Sequence, residues 1–124
     1  MTTLQCGERA CRAPQLTEKE LEQKVKEAPL WELSPDRKSI SRTFVAKNFA
    51  EGLKFFNAVA QLAEEWNHHP DLHLTDYRTV RVVLSTHAIQ GLSALDFSLA
   101  ARIDKIDVAY SPKWLRENPL PSPV

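Results

Sequence analysis

The chain has 124 residues, of which 43% are hydrophobic and 26% charged, with eight prolines and only three glycines. That balance describes one globular domain with a real core, too short for two, and excludes fibrous and wholly disordered classes. Lysine plus arginine equal aspartate plus glutamate at 16 each, so no net field draws the protein onto nucleic acid or an anionic membrane.

Cys6 and Cys11 lie in a polar N-terminal stretch with no cysteine elsewhere, which leaves neither a disulfide framework nor a four-ligand zinc site. They read as free thiols in a reducing compartment. No apolar run reaches signal-peptide length or the roughly 20 residues that span a bilayer. The expected address is cytoplasmic, with an organelle left open because a removed presequence leaves no trace. Residues 1–15 read as a flexible arm, 16–118 as a single domain and 119–124 as a disordered tail rich in proline.

Thr17 and Glu20 form a capping box, and Leu16 and Leu21 sit at staple spacing around it, which predicts a helix beginning near Thr17. Leu21, Val25 and Ala28 give it a thin apolar stripe, and Pro29 ends it. Trp31-Glu32-Leu33 and Ser39 to Val45 read as a hairpin around Ser34-Pro35-Asp36-Arg37-Lys38, with Ile40 and Phe44 on one face.

Asn48, three residues before Glu51, opens the strongest helix, whose apolar positions Phe49, Leu53, Phe56, Val59, Ala60, Ala63 and Trp66 repeat at helical spacing. It is expected to end near His68-His69-Pro70. Leu72 and Leu74 alternate with His73, and Val80, Val82 and Leu84 with Arg81, predicting a second hairpin. Ser93 and Asp96 make another capping box, followed by Leu95, Leu99, Ile103 and Ile106 along one face of a last helix. The expected fold is α+β: a four-stranded antiparallel sheet with three helices packed on one face, in the order αββαββα.

Three of the four histidines, His68, His69 and His73, fall within six residues, and His87 lies beyond the last strand. Pro70 biases His69 towards an extended backbone while His68 can still belong to the helix, so the two rings leave the chain in different directions. Glu64 precedes His68 by four residues, a spacing at which its carboxylate can orient that ring and fix its tautomer. His73 alternates with two leucines and should point to solvent or an interface rather than complete a metal site. Asp96 is accounted for by helix capping, and Trp66 by the core stripe of its helix. Tyr77 covers the hairpin turn, and Trp31 is open between packing and ligand stacking.

Glu64, three residues, His68-His69-Pro70, six residues, Tyr77, nine residues, His87, eight residues and Asp96 together resemble the signature of the pterin-4a-carbinolamine dehydratases. With the element order and Trp31, the resemblance spans roughly residues 17 to 110. It implies dehydration of 4a-hydroxytetrahydrobiopterin to quinonoid dihydrobiopterin in tetrahydrobiopterin recycling, without metal or organic cofactor. By the same resemblance His68, His69 and His87 are the catalytic set. His68 and His87 transfer protons and His69 grips the pterin, while Glu64, Pro70, Trp31 and Asp96 complete the substrate site. Imidazole suits this work because its ordinary pKa near about 6.5 supplies acid and base at neutral pH.

The resemblance further implies a homodimer or homotetramer and, as an alternative role, a homeodomain transcription-factor partner bound through helices. A pterin-binding module without catalysis is the other alternative.

Overall fold

The computed structural model describes residues 14–120, so the two cysteines, nearly all of the expected arm and most of the tail lie outside the described residues. Helix α1 runs Glu18–Lys26, strand β1 Glu32–Leu33, β2 Ile40–Val45, α2 Phe49–Trp66, β3 Asp71–Thr75 and β4 Thr79–Leu84. A single 3-10 turn, His87–Ile89, precedes α3, Ala94–Ile103, and α4, Pro112–Glu117. The α+β class and the two antiparallel hairpins are as expected, and pairing of β2 with β4 joins the hairpins into one sheet of order β1-β2-β4-β3.

Side chains alternate across a strand, so Ile40, Arg42 and Phe44 of β2 share a face with Val80, Val82 and Leu84 of β4. All six are buried. Leu21 of α1, Phe55 and Val59 of α2, and Leu99 and Ile103 of α3 close the core over that face. On the opposite face Thr43, Arg81 and His73 lie in one cross-strand row and are exposed, as expected for His73.

Helix α2 is turned from the stripe that periodicity suggests. Gly52, Phe55, Val59 and Ala63 face inward, whereas Phe49 and Leu53 are exposed. Adjacent Phe55 and Phe56 make two overlapping stripes readable, and packing selects the one that passes through Gly52. A β-carbon there would come within 3.3 Å of Leu74 Cδ1, so glycine lets the helix lie close on the sheet.

Helix α4 is an addition to the expected order. Ser111 accepts from the Trp114 N–H and Pro112 opens the helix, a start signal present in the sequence. The preceding chain bonds to the β2 edge that two-residue β1 leaves open: the Ser111 N–H donates to the Val45 carbonyl and the Lys47 N–H to the Ala109 carbonyl, each at 2.8 Å. Tyr110 and Trp114 stack with centroids 5.5 Å apart, and the Tyr110 ring meets Phe44 edge-on.

Arg42 is a charge on the apolar face of β2. Its guanidinium reaches Asp104 Oδ1 at 3.1 Å and the Tyr110 hydroxyl at 2.6 Å, and lies over the rings of Phe44 and Phe55. The Trp31 indole N–H donates to the same Asp104 oxygen at 3.0 Å. Burial pushes the Asp104 carboxyl above its ordinary range, opposed by the Trp31 indole and the Arg42 guanidinium. Among the described residues no helix is long and apolar enough to cross a membrane.

Candidate active site

Helix α2 stops at Trp66 because Asn67 adopts the left-handed conformation, φ 48° and ψ 42°, a helix terminus that asparagine tolerates better than most residues. His68 therefore lies after the helix rather than within it. The turn at Asn67 sends His68 inward to 5% exposure and swings His69 back over the last helical turn. The expected pairing of Glu64 with His68 is thereby corrected: Glu64 Oε2 takes Nε2 of His69, at 2.6 Å. Both side chains of that pair are largely solvent-exposed, at 55% and 76% for His69 and Glu64.

The partner of His68 is Asp96. Nε2 of His68 stands 2.6 Å from Asp96 Oδ1, and Asp96 is wholly buried in the first turn of α3. Its other oxygen, Oδ2, accepts from the Thr86 hydroxyl at 2.6 Å and from the Ser93 N–H at 3.0 Å. Capping thus accounts for one of its three bonds, and the remaining two make Asp96 the anchor of the site. A carboxylate only accepts hydrogen bonds, so Asp96 assigns the proton to Nε2 of His68. Among the described residues no hydrogen bond engages Nδ1 of that ring and no buried side-chain nitrogen or oxygen lacks a partner. Nδ1 is therefore the edge through which the nearly buried ring reaches the surface.

His87 is exposed on the 3-10 turn that follows β4, not on the strand itself. The turn is pinched at its base, where the Thr86 N–H donates to the Gly91 carbonyl at 2.8 Å and left-handed Gln90 closes it. Thr86, next to His87 in the chain, thus ties the turn to the carboxylate that holds His68. Pro70, half-buried, separates His69 from β3.

Trp31 does not join this cluster. It is 5% exposed, packed in the core, with its indole nitrogen on Asp104. Asp104 lies eight residues beyond Asp96 along α3, about 12 Å at helical rise. Of the two readings left open for Trp31, the bond of its indole to Asp104 and its burial favour packing. Trp66 packs partly buried against the core, and Tyr77, 60% exposed, covers the second hairpin turn with the Arg78 guanidinium 5.4 Å from its ring centroid. Two cavities of about 290 Å³ and 790 Å³ border α1, and the histidines stand outside both.

Sequence reasoning missed Thr86, because a threonine after a strand carries no signature of its own until the loop that follows is folded back. It also missed Arg42, although its charge between Ile40 and Phe44 at a spacing of two was a visible signal.

Residues 14–106 match the family model described as pterin 4 alpha carbinolamine dehydratase. An Arabidopsis thaliana protein named pterin-4-alpha-carbinolamine dehydratase 2, mitochondrial, is 38% identical over 83% of this chain, which spans only 55% of that relative's length. A Saccharophagus degradans protein, provisionally named as the same dehydratase, is 45% identical over 77% of this chain and 88% of its own. A Brucella melitensis structure described as a transcriptional coactivator/pterin dehydratase superposes with a TM-score of 0.68 at 31% identity, covering 73% of this chain and 96% of that one. A pterin dehydratase-like protein identified as a RuBisCO assembly factor shares the fold, with a TM-score of 0.50 at 23% identity.

Proposed function

The chain belongs to the pterin-4α-carbinolamine dehydratase family, and from that premise we propose that it is a hydro-lyase removing water from 4a-hydroxytetrahydrobiopterin to give quinonoid dihydrobiopterin. The observation that carries this reading is the buried Asp96–His68 pair, which leaves Nδ1 of His68 as a free proton acceptor or donor at the surface.

The substrate bears a hydroxyl and a ring N–H on adjacent atoms. Elimination breaks the C–O bond, the departing oxygen takes a proton and leaves as water, and the nitrogen loses its proton as the C=N bond forms. The imidazole that donates ends deprotonated and the one that accepts ends protonated, so the net proton count of the protein is unchanged and proton exchange with water resets the pair for the next turnover. His68 and His87 fill the two roles, with Asp96 holding the first ring and the pinched turn presenting the second. His69, oriented by Glu64 at the surface, grips the pterin beside Pro70. General acid and base help of this kind contributes on the order of 10²–10⁴-fold. The product feeds reductive regeneration of tetrahydrobiopterin after hydroxylation reactions have consumed it.

The test follows loss of the 4a-hydroxytetrahydropterin absorbance against the uncatalysed rate, with and without EDTA, for the wild type and His68→Ala. Acceleration that survives EDTA and is lost in His68→Ala supports the reading. An absence of acceleration would overturn it in favour of a partner-binding role, for which the coactivator description of the Brucella melitensis structure is the supporting observation. We propose self-association as well, with the uncovered outer face of the sheet as the available surface; a monomer in size-exclusion chromatography would refute this.

A further inference from the structure

Thr86 is wholly buried, and its polar groups reach two parts of the site at once. Its backbone forms the base of the turn that carries His87. The N–H donates to the Gly91 carbonyl at 2.8 Å, and the carbonyl accepts from the Ile89 N–H at 3.2 Å and the Gly91 N–H at 3.4 Å. Its hydroxyl donates to Asp96 Oδ2 at 2.6 Å and lies 2.9 Å from the Ser93 hydroxyl.

Capping of α3 does not call for this arrangement, since the Ser93 N–H is already satisfied by Asp96. A valine would fill the same volume in a buried position at the end of β4. The hydroxyl instead makes a short, charge-assisted bond to the carboxylate whose other oxygen holds His68. One side chain therefore links the ring on the α2–β3 connection to the ring on the β4–α3 connection, through a single buried carboxylate.

We infer that Thr86 is a positioning residue for the dehydration: its hydroxyl, anchored on Asp96, fixes where the His87 turn stands relative to His68. The inference rests on the dehydratase reading, and adds to it the device that keeps two rings on separate connections in register. Misplacing one reacting group by about 1 Å costs on the order of a hundredfold in rate, so a link of this kind acts on turnover rather than on substrate affinity.

Thr86→Val removes the donor and keeps the shape. Its kcat is expected to fall on the order of 10–100-fold with KM little changed. The low-field Nε2–H proton resonance of His68 should shift at the same time. Thr86→Ser, which keeps the hydroxyl, should recover both. A raised KM with kcat intact would make Thr86 a substrate contact and overturn the inference, as would an unchanged kcat and resonance.

The unsubstituted protein gives a reading that depends neither on the valine variant folding nor on activity. The Thr86 hydroxyl proton should exchange slowly and show cross-relaxation to the His68 Nε2–H across the carboxylate. A rapidly exchanging hydroxyl overturns the link even in an active dehydratase. A protected hydroxyl in a wild type that does not accelerate the reaction would uphold the link and overturn the role in dehydration.

Discussion

Asp96→Asn tests the site at its anchor. The carboxylate accepts three hydrogen bonds, from His68, Thr86 and Ser93, and is wholly buried. A carboxamide has one acceptor oxygen and an NH₂ donor pair, so it cannot replace both oxygens. If its oxygen stays on His68, the NH₂ meets the Ser93 N–H, and that buried donor loses its partner. If its oxygen turns to Ser93 and Thr86, the NH₂ meets Nε2 of His68, which must give up its proton and hold it on Nδ1 instead. The first arrangement loses a buried hydrogen bond and weakens a charge-assisted one, together about 2–4 kcal/mol. The second exchanges the working edge of the ring, at a cost on the order of 10²–10⁴-fold in turnover. Thermal unfolding should show the midpoint falling by roughly 10 °C, and the carbinolamine assay, run well below that midpoint, should show the loss in kcat. A folded Asp96→Asn protein with both wild-type kcat and an unshifted midpoint fits neither arrangement and would refute the claim that Asp96 anchors His68.

Arg42→Met leaves Asp104 without its guanidinium partner. Breaking a buried pair costs about 3–5 kcal/mol, and because the Asp104 side chain keeps 25% of its exposure the expected loss is lower, about 2–3 kcal/mol. Burial already holds the Asp104 carboxyl above its ordinary range with Arg42 opposing, so the variant raises it further. For an acid whose folded pKa is raised, the penalty is complete above that value and disappears as pH falls towards the unfolded one. Denaturant midpoints should therefore show the deficit of Arg42→Met largest near neutrality and shrinking on acidification; a deficit that grows instead would refute the sign. Trp114→Ala removes the ring stacked on Tyr110 and tilted against Phe44. It should cost about 2–3 kcal/mol, below the range for a fully buried tryptophan, with kcat unchanged at permissive temperature. A lost kcat in a folded Trp114→Ala protein would show that α4 supports the site.

Local order was legible in the sequence wherever its cause was local. Three helix starts follow from side chains that bond backbone a few residues away: Thr17 with Glu20, Asn48 with Glu51, and Ser93 with Asp96. Both hairpins follow from alternation around turn residues, and the histidine constellation follows from spacing along the chain. Tertiary structure decided what depends on elements meeting. Asn67 could have continued α2, in which case Glu64 would have served His68; the left-handed turn instead gave Glu64 to His69 and brought His68 to Asp96, 28 residues on. Gly52 lies on the buried stripe of α2, where an added β-carbon would come within 3.3 Å of Leu74 Cδ1, so glycine eases a close approach of helix to sheet that periodicity alone does not announce. Trp31, compatible by sequence with packing or stacking, was claimed by Asp104 across 73 residues. Thr86 became part of the site only when its turn closed on Gly91 and its hydroxyl met a carboxylate that helix capping had already fixed. Partners so distant in sequence have no periodicity to announce them, because burial in a shared core, not local geometry, selects the pair.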